Sequence, residues 1–135
     1  DRGDVPRAIA NPTSMVSTDG SPSVKKSHPR YYGSCAGVRE KYVKQEHLLS
    51  LQQAIYKMSG MPAAKLGLSD RGILGEGKKA DLLVIDFEKL HDNATYKEDK
   101  ATCDGIEYVA VNGQIVVKDG ALVPVYAGRV LRKGR

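Results

Sequence analysis

The chain has 135 residues, 41% apolar and 27% charged, which suits a soluble globular domain with a sizeable core. No apolar run approaches the roughly 20 residues of a membrane-spanning helix, so a membrane partner is not expected. The +5 charge is spread along the chain, apart from a small terminal cluster of Arg129, Arg132, Lys133 and Arg135. Without basic residues concentrated beside aromatics, a nucleic-acid partner is not expected either.

Residues 4–10 predict a short helix, with Asp4 as N-cap and Pro6 in the first turn. Asn11-Pro12 breaks it, and residues 13–18 predict a strand. That run stops at Asp19, where Gly20 and Pro22 turn the backbone into a long loop over residues 20–33. A carboxylate at a strand's C-terminal end can serve as a proton shuttle, although Asp-Gly-Ser-Pro is equally ordinary turn chemistry.

Helical signals resume after Gly33, with Val38, Tyr42 and Val43 on one face. Ser50 and Gln53 form a capping box, and Leu51, Ala54, Ile55 and Met58 make an apolar stripe expected to be buried. Gly60 is expected to end that helix. Pro62 to Leu66 predicts one more short helix, closed by Gly67.

From Leu68 the pattern changes. Gly72, Gly75 and Gly77 mark turns, and residues 80–86 predict a strand apolar enough to be buried on both faces. Residues 88–104 are polar and loop-like. Ile106 to Val117 predicts a hairpin, because Asn112-Gly113 supplies the two positive φ angles of a type I′ turn. A turn at Lys118-Asp119-Gly120 leads to residues 121–123, and a last strand is expected at 129–131. Cys35 and Cys103 lack metal-ligand spacing, so free thiols in a reducing, cytoplasmic compartment are expected.

The chain therefore divides into an α/β or helical part, residues 1–67, and a β-rich part, residues 68–135. Each part is short of strands for a complete domain. Since the sequence opens on Asp1 without an initiator Met, the expectation is the C-terminal end of a larger enzyme.

Several segments, in order, resemble the D-aminoacylase (N-acyl-D-amino-acid deacylase) branch of the amidohydrolase superfamily. Ser17-Thr18-Asp19-Gly20 is similar to the end of that family's eighth barrel strand. His28-Pro29-Arg30-Tyr31-Tyr32-Gly33, starting nine residues after Asp19, is similar to its His-Pro-Arg segment. Residues 49–58, with Pro62-Ala63 and Leu66-Gly67-Leu68, resemble the helical stretch leaving the barrel. Ala80-Asp81-Leu82 and Val111-Asn112-Gly113 resemble pieces that many amidohydrolases share. Two stretches depart from the pattern: the lysines Lys25 and Lys26 in the loop after Asp19, and residues 97–104.

The resemblance implies an α/β fold: the last strand and helices of a (β/α)8 barrel, followed by part of a small β-sandwich domain. It implies a zinc-dependent hydrolase of N-acyl-D-amino acids, whose metal ligands lie on earlier strands, so no metal ligand is assigned here. Asp19 would act as general base and then general acid. Arg30 would hold a substrate carboxylate with its guanidinium fork, and His28 shares that segment, as substrate contact or loop anchor. Tyr31 and Tyr32 are expected to pack or line a pocket. His47 and His91 are expected to be solvated, and Lys25 and Lys26 to be a solvated loop that could attract an anionic substrate. Other partners would be the rest of the parent chain, with oligomerisation left open. The isolated chain is expected to be inactive. The alternatives are hydrolysis of another linear or cyclic amide, or a non-catalytic interaction module.

Overall fold

The computed structural model describes residues 3–21 and 26–132. Pro22, Lys25, Lys133 and Arg135 lie outside these residues. Among the described residues, four α-helices precede a four-stranded antiparallel sheet of order β1-β2-β3-β4. No helix of the described residues is long and apolar enough to cross a membrane.

Helix α1 spans Asp4–Ala10, and its N-cap is Gly3 with no side-chain cap. Asp4 thus lies inside the first turn, where its carboxylate favours the helix dipole, instead of capping. Asn11 ends the helix and folds its side chain back, Oδ1 accepting from the Thr13 amide at 2.9 Å and hydroxyl at 2.8 Å.

The strand expected at 13–18 forms no ladder among the described residues. A strand needs a neighbouring backbone, and here the backbone bond to another element among the described residues runs from the Val16 amide to the Lys57 carbonyl at 3.2 Å. Lys57 does most of the fastening. It is only 4% exposed, and its ammonium donates to the Asn11 carbonyl and, at 3.1 Å each, to the Ser14 carbonyl and hydroxyl.

Helix α2, Arg30–Val38, starts earlier than the expected loop end at Gly33. Pro29 pre-sets a helical φ and its carbonyl accepts the Tyr32 and Gly33 amides at 3.1 and 3.0 Å, so the helix forms before the glycine. It continues as a π-helical segment over Arg39–Gln45, burying Ala36, Val38, Arg39 and Tyr42. Gly33 and Gly37 share one face, and the Asp92 carboxylate packs so closely there that a Cβ on Gly33 would overlap it.

Helix α3, Leu51–Met58, carries the full capping box: the Ser50 hydroxyl accepts the Gln53 amide at 3.1 Å and the Gln53 side chain accepts the Ser50 amide at 2.8 Å. Its expected apolar stripe is only partly buried. Ala54 is fully enclosed, but Ile55 is 42% exposed while Lys57 is buried in its place. The reason is the cluster of oxygens from residues 11–14, which draws the face carrying the ammonium inward. Ser59, not Gly60, ends α3; Gly60 instead opens α4, Gly60–Leu66, which closes at Gly67 in the left-handed conformation, φ 72°.

Strand β1, Leu82–Ile85, pairs with β2, Ile106–Val111; β2 pairs with β3, Gln114–Lys118; and β3 pairs with β4, Ala121–Leu122. The β2–β3 turn has positive φ at both Asn112 and Gly113, 49° and 79°. Asp81 ties this turn to the segment after α4, one carboxylate oxygen accepting the Asn112 amide at 2.8 Å and the other Arg71 at 2.7 Å.

Two expectations fail here. Leu82, Leu83 and Val84 are 41–52% exposed. β1 is an edge strand, and among the described residues no second layer covers the sheet, so apolar composition does not translate into burial. Residues 129–131 form no strand, and Val130 is 85% exposed. The helical and sheet parts meet through Lys44, which donates to the Phe87 and Glu88 carbonyls at 3.1 and 2.8 Å, and through the loop after β1, where Leu90 is buried.

Candidate functional site

Asp19 sits in the left-handed region with φ 44°, a conformation that Asp tolerates better than most residues. Its side chain is 83% exposed and is met by Arg30 in two places. The guanidinium Nη2 lies 3.1 Å from Oδ2, and Nε donates to the Asp19 carbonyl at 2.9 Å. Gly20 follows because the Tyr31 ring and backbone press against it and a Cβ would overlap the ring. The Tyr31 and Tyr32 rings stack edge to face at 5.0 Å, both a little over one-third exposed.

Arg30 is the first residue of α2, and His28 fixes that start. The His28 Nδ1 accepts the Arg30 amide at 3.1 Å, a bond that is made only when the imidazole proton is on Nε2. Nε2 lies 2.9 Å from the Tyr96 hydroxyl, and the two rings meet edge to face at 5.2 Å. Both nitrogens of His28 are therefore engaged by protein, which favours anchoring over direct substrate contact.

A cleft of about 690 Å³ opens between α2 and the segment before Asp19, lined among others by Ser17, Arg30, Glu40, Lys41, His91 and Asp92. Glu40 and His91 were not singled out together by the sequence. The Glu40 Oε1 lies 2.9 Å from His91 Nδ1, and Oε2 accepts the Asp92 amide at 3.0 Å. The Asp92 amide, then the His91 imidazole, hold the Glu40 carboxyl below the usual carboxylate range. His91, expected to be merely solvated, is exposed but its Nδ1 is in hydrogen-bond contact with Glu40. The signal available was spacing: Gly33, Gly37 and Glu40 lie on one helical face, the pattern of a helix approached closely by another segment. His47 is exposed, with φ 50°.

Cys35 and Cys103 are free. Burial pushes the Cys103 thiol up, which keeps it protonated and unreactive, and burial lowers the neighbouring Arg39 guanidinium from its ordinary value. Among the described residues, no group of three or more His, Cys, Asp and Glu side chains converges to hold a metal ion. Glu40 and Asp92 are the carboxylates that line the cleft, and Asp19, beside it, already carries a guanidinium. The described residues alone do not fit a metal centre.

A profile described as the amidohydrolase family matches residues 4–117, and the chain belongs to that family. Within it, the chain is 39% identical over 99% of its length to an N-acyl-D-aspartate deacylase of Alcaligenes xylosoxydans xylosoxydans, covering 27% of that protein. It is also similar to a crystal structure of D-aminoacylase, with TM-score 0.93 and 38% identity over 98% of this chain and 28% of that one. The N-acyl-D-glutamate deacylase of Bordetella bronchiseptica, solved with zinc and a phosphonate mimic of the tetrahedral intermediate, gives TM-score 0.82 and 38% identity over 86% of this chain and 24% of that one. The chain thus spans about a quarter of the length of these relatives.

Proposed function

We propose that this chain is the C-terminal part of a zinc-dependent hydrolase that cleaves the amide of N-acyl-D-amino acids to a carboxylate and a D-amino acid. The observation that carries it is the Asp19–Arg30 pair, of which Arg30 lines the cleft, in a chain 38–39% identical to deacylases of that class. Residues 1–67 would complete the (β/α)8 barrel and residues 68–135 the small β-sandwich domain. The exposed apolar strand β1 and the ladderless segment 13–18 support this, since both present surfaces that further strands would cover. Its free thiols fit a cytoplasmic setting.

Zinc, held by polypeptide outside this chain, would supply Lewis acidity at the scissile amide. Asp19 is the proton carrier: its exposed carboxylate takes a proton from the attacking water at Oδ and returns it to the leaving amine. Arg30 keeps that carboxylate in place through its backbone and side-chain contacts. Among the described residues, its remaining N–H groups have no partner, so they are available to the substrate's own carboxylate. His28 fixes the position of Arg30 and does not touch substrate.

The test uses the full-length parent protein and a panel of N-acyl-D- and N-acyl-L-amino acids. Wild type is expected to hydrolyse the D-series. Asp19→Asn is expected to lower kcat by about 10²- to 10⁴-fold with circular dichroism and zinc content unchanged. Turnover within about three-fold of wild type in that variant rules out the role given to Asp19. Hydrolysis of a cyclic amide in place of the D-series would favour the other amidohydrolase reading.

A further inference from the structure

The polar loop after β1 reaches across to the segment that carries Arg30, and it is built to do so. The Thr95 hydroxyl accepts the Lys97 and Glu98 amides at 3.3 and 3.0 Å, and the Thr95 amide donates to the Glu98 carbonyl at 3.0 Å. Asn93 donates to the Thr102 carbonyl at 3.0 Å, closing the base of the loop. From this turn two side chains extend to the other segment. The buried Asp99 carboxylate accepts the Ser27 amide, and the Tyr96 hydroxyl meets His28 Nε2 at 2.9 Å. Tyr96 is otherwise 67% exposed, so its hydroxyl contact is not a by-product of burial.

The chain of bonds has one direction. His28 can accept the Arg30 amide at Nδ1 only while its proton stays on Nε2, and the Tyr96 oxygen is the acceptor that keeps it there. The Arg30 amide is the first of the helix, and its side chain runs on to Asp19. We propose that Tyr96 is a positioning residue: it locks the His28 tautomer and thereby sets where the Arg30 guanidinium sits between Asp19 and the substrate carboxylate. This rests on the role given to Arg30 above. It also assigns a task to the residue just before the stretch 97–104, which departs from the family pattern.

Tyr96→Phe removes one oxygen and keeps the ring edge against His28, at an exposed position where the fold tolerates the change. In the full-length protein with ¹⁵N-labelled histidine, wild-type His28 is expected to show a single Nε2–H tautomer. Tyr96→Phe is expected to show a mixture of both. In parallel, KM for an N-acyl-D-amino acid is expected to rise about three- to ten-fold with kcat within about two-fold, the effect of losing one orienting hydrogen bond. His28→Ala is expected to match that rise, and the double variant to add nothing further. An unchanged tautomer in Tyr96→Phe overturns the proposal, as does an unchanged KM with the tautomer mixed. If wild type turns over no N-acyl-D-amino acid, the deacylase reading fails, and the His28 spectrum alone still decides whether Tyr96 sets the tautomer.

Discussion

Replacing Lys57 with Met isolates the buried ammonium that fastens the segment leading to Asp19. The Met side chain is close in length and fits the same channel, so the perturbation is the loss of charge and donors. Three acceptors lose the ammonium: the Asn11 carbonyl, the Ser14 carbonyl and the Ser14 hydroxyl. Asn11 keeps a donor, because the Ser14 hydroxyl also reaches its carbonyl at 2.9 Å. The Ser14 carbonyl is the group left stranded. Removing a charged donor costs about 1.5–3 kcal/mol per bond, and relief of the buried charge offsets part of that. The net expectation is about 1–3 kcal/mol, felt locally. The Val16 amide reports it directly, since it bonds to the Lys57 carbonyl. Native-state hydrogen exchange at Val16 should accelerate about 5- to 150-fold in the parent protein, at about 1.4 kcal/mol per ten-fold. An exchange rate within about two-fold of wild type refutes the assignment of Lys57 as the fastener of this segment.

Two further outcomes follow from contacts already described. The Glu40 carboxyl is held below its ordinary 4.5 in the folded state, so its contribution is fully present above that value and is lost as pH falls through the lowered folded one. Glu40→Gln should therefore flatten the decline in Tm on acidification below about pH 4.5, and an acid limb of unchanged slope contradicts this. Ser50→Ala removes the acceptor of the Gln53 amide and one half of the capping box, and should cost about 1 kcal/mol in urea unfolding, with no change in KM.

What the residues dictated on their own is what neighbouring residues can settle. The Ser50–Gln53 box, the left-handed Gly67 and the Asn112-Gly113 turn all appear as expected, because each closes its hydrogen bonds within a few residues. The early start of α2 was missed because Pro29 offers its carbonyl to two amides, a geometry that the proline-bearing loop composition disguised. Asp19 and Arg30 were both legible as site residues, and 11 positions separate them, but their contact through backbone and side chain was not. Periodicity assigned Ile55 to the interior and ignored Lys57, since it weighs apolarity and cannot see the oxygens of residues 11–14 waiting opposite. The Glu40–His91 pair, 51 residues apart, and the His28–Tyr96 contact, 68 apart, exist only once the loop after β1 lies against α2. Long-range polar contacts depend on how whole elements dock, and docking is fixed by packed shape and paired charge, neither of which leaves a repeat in the chain.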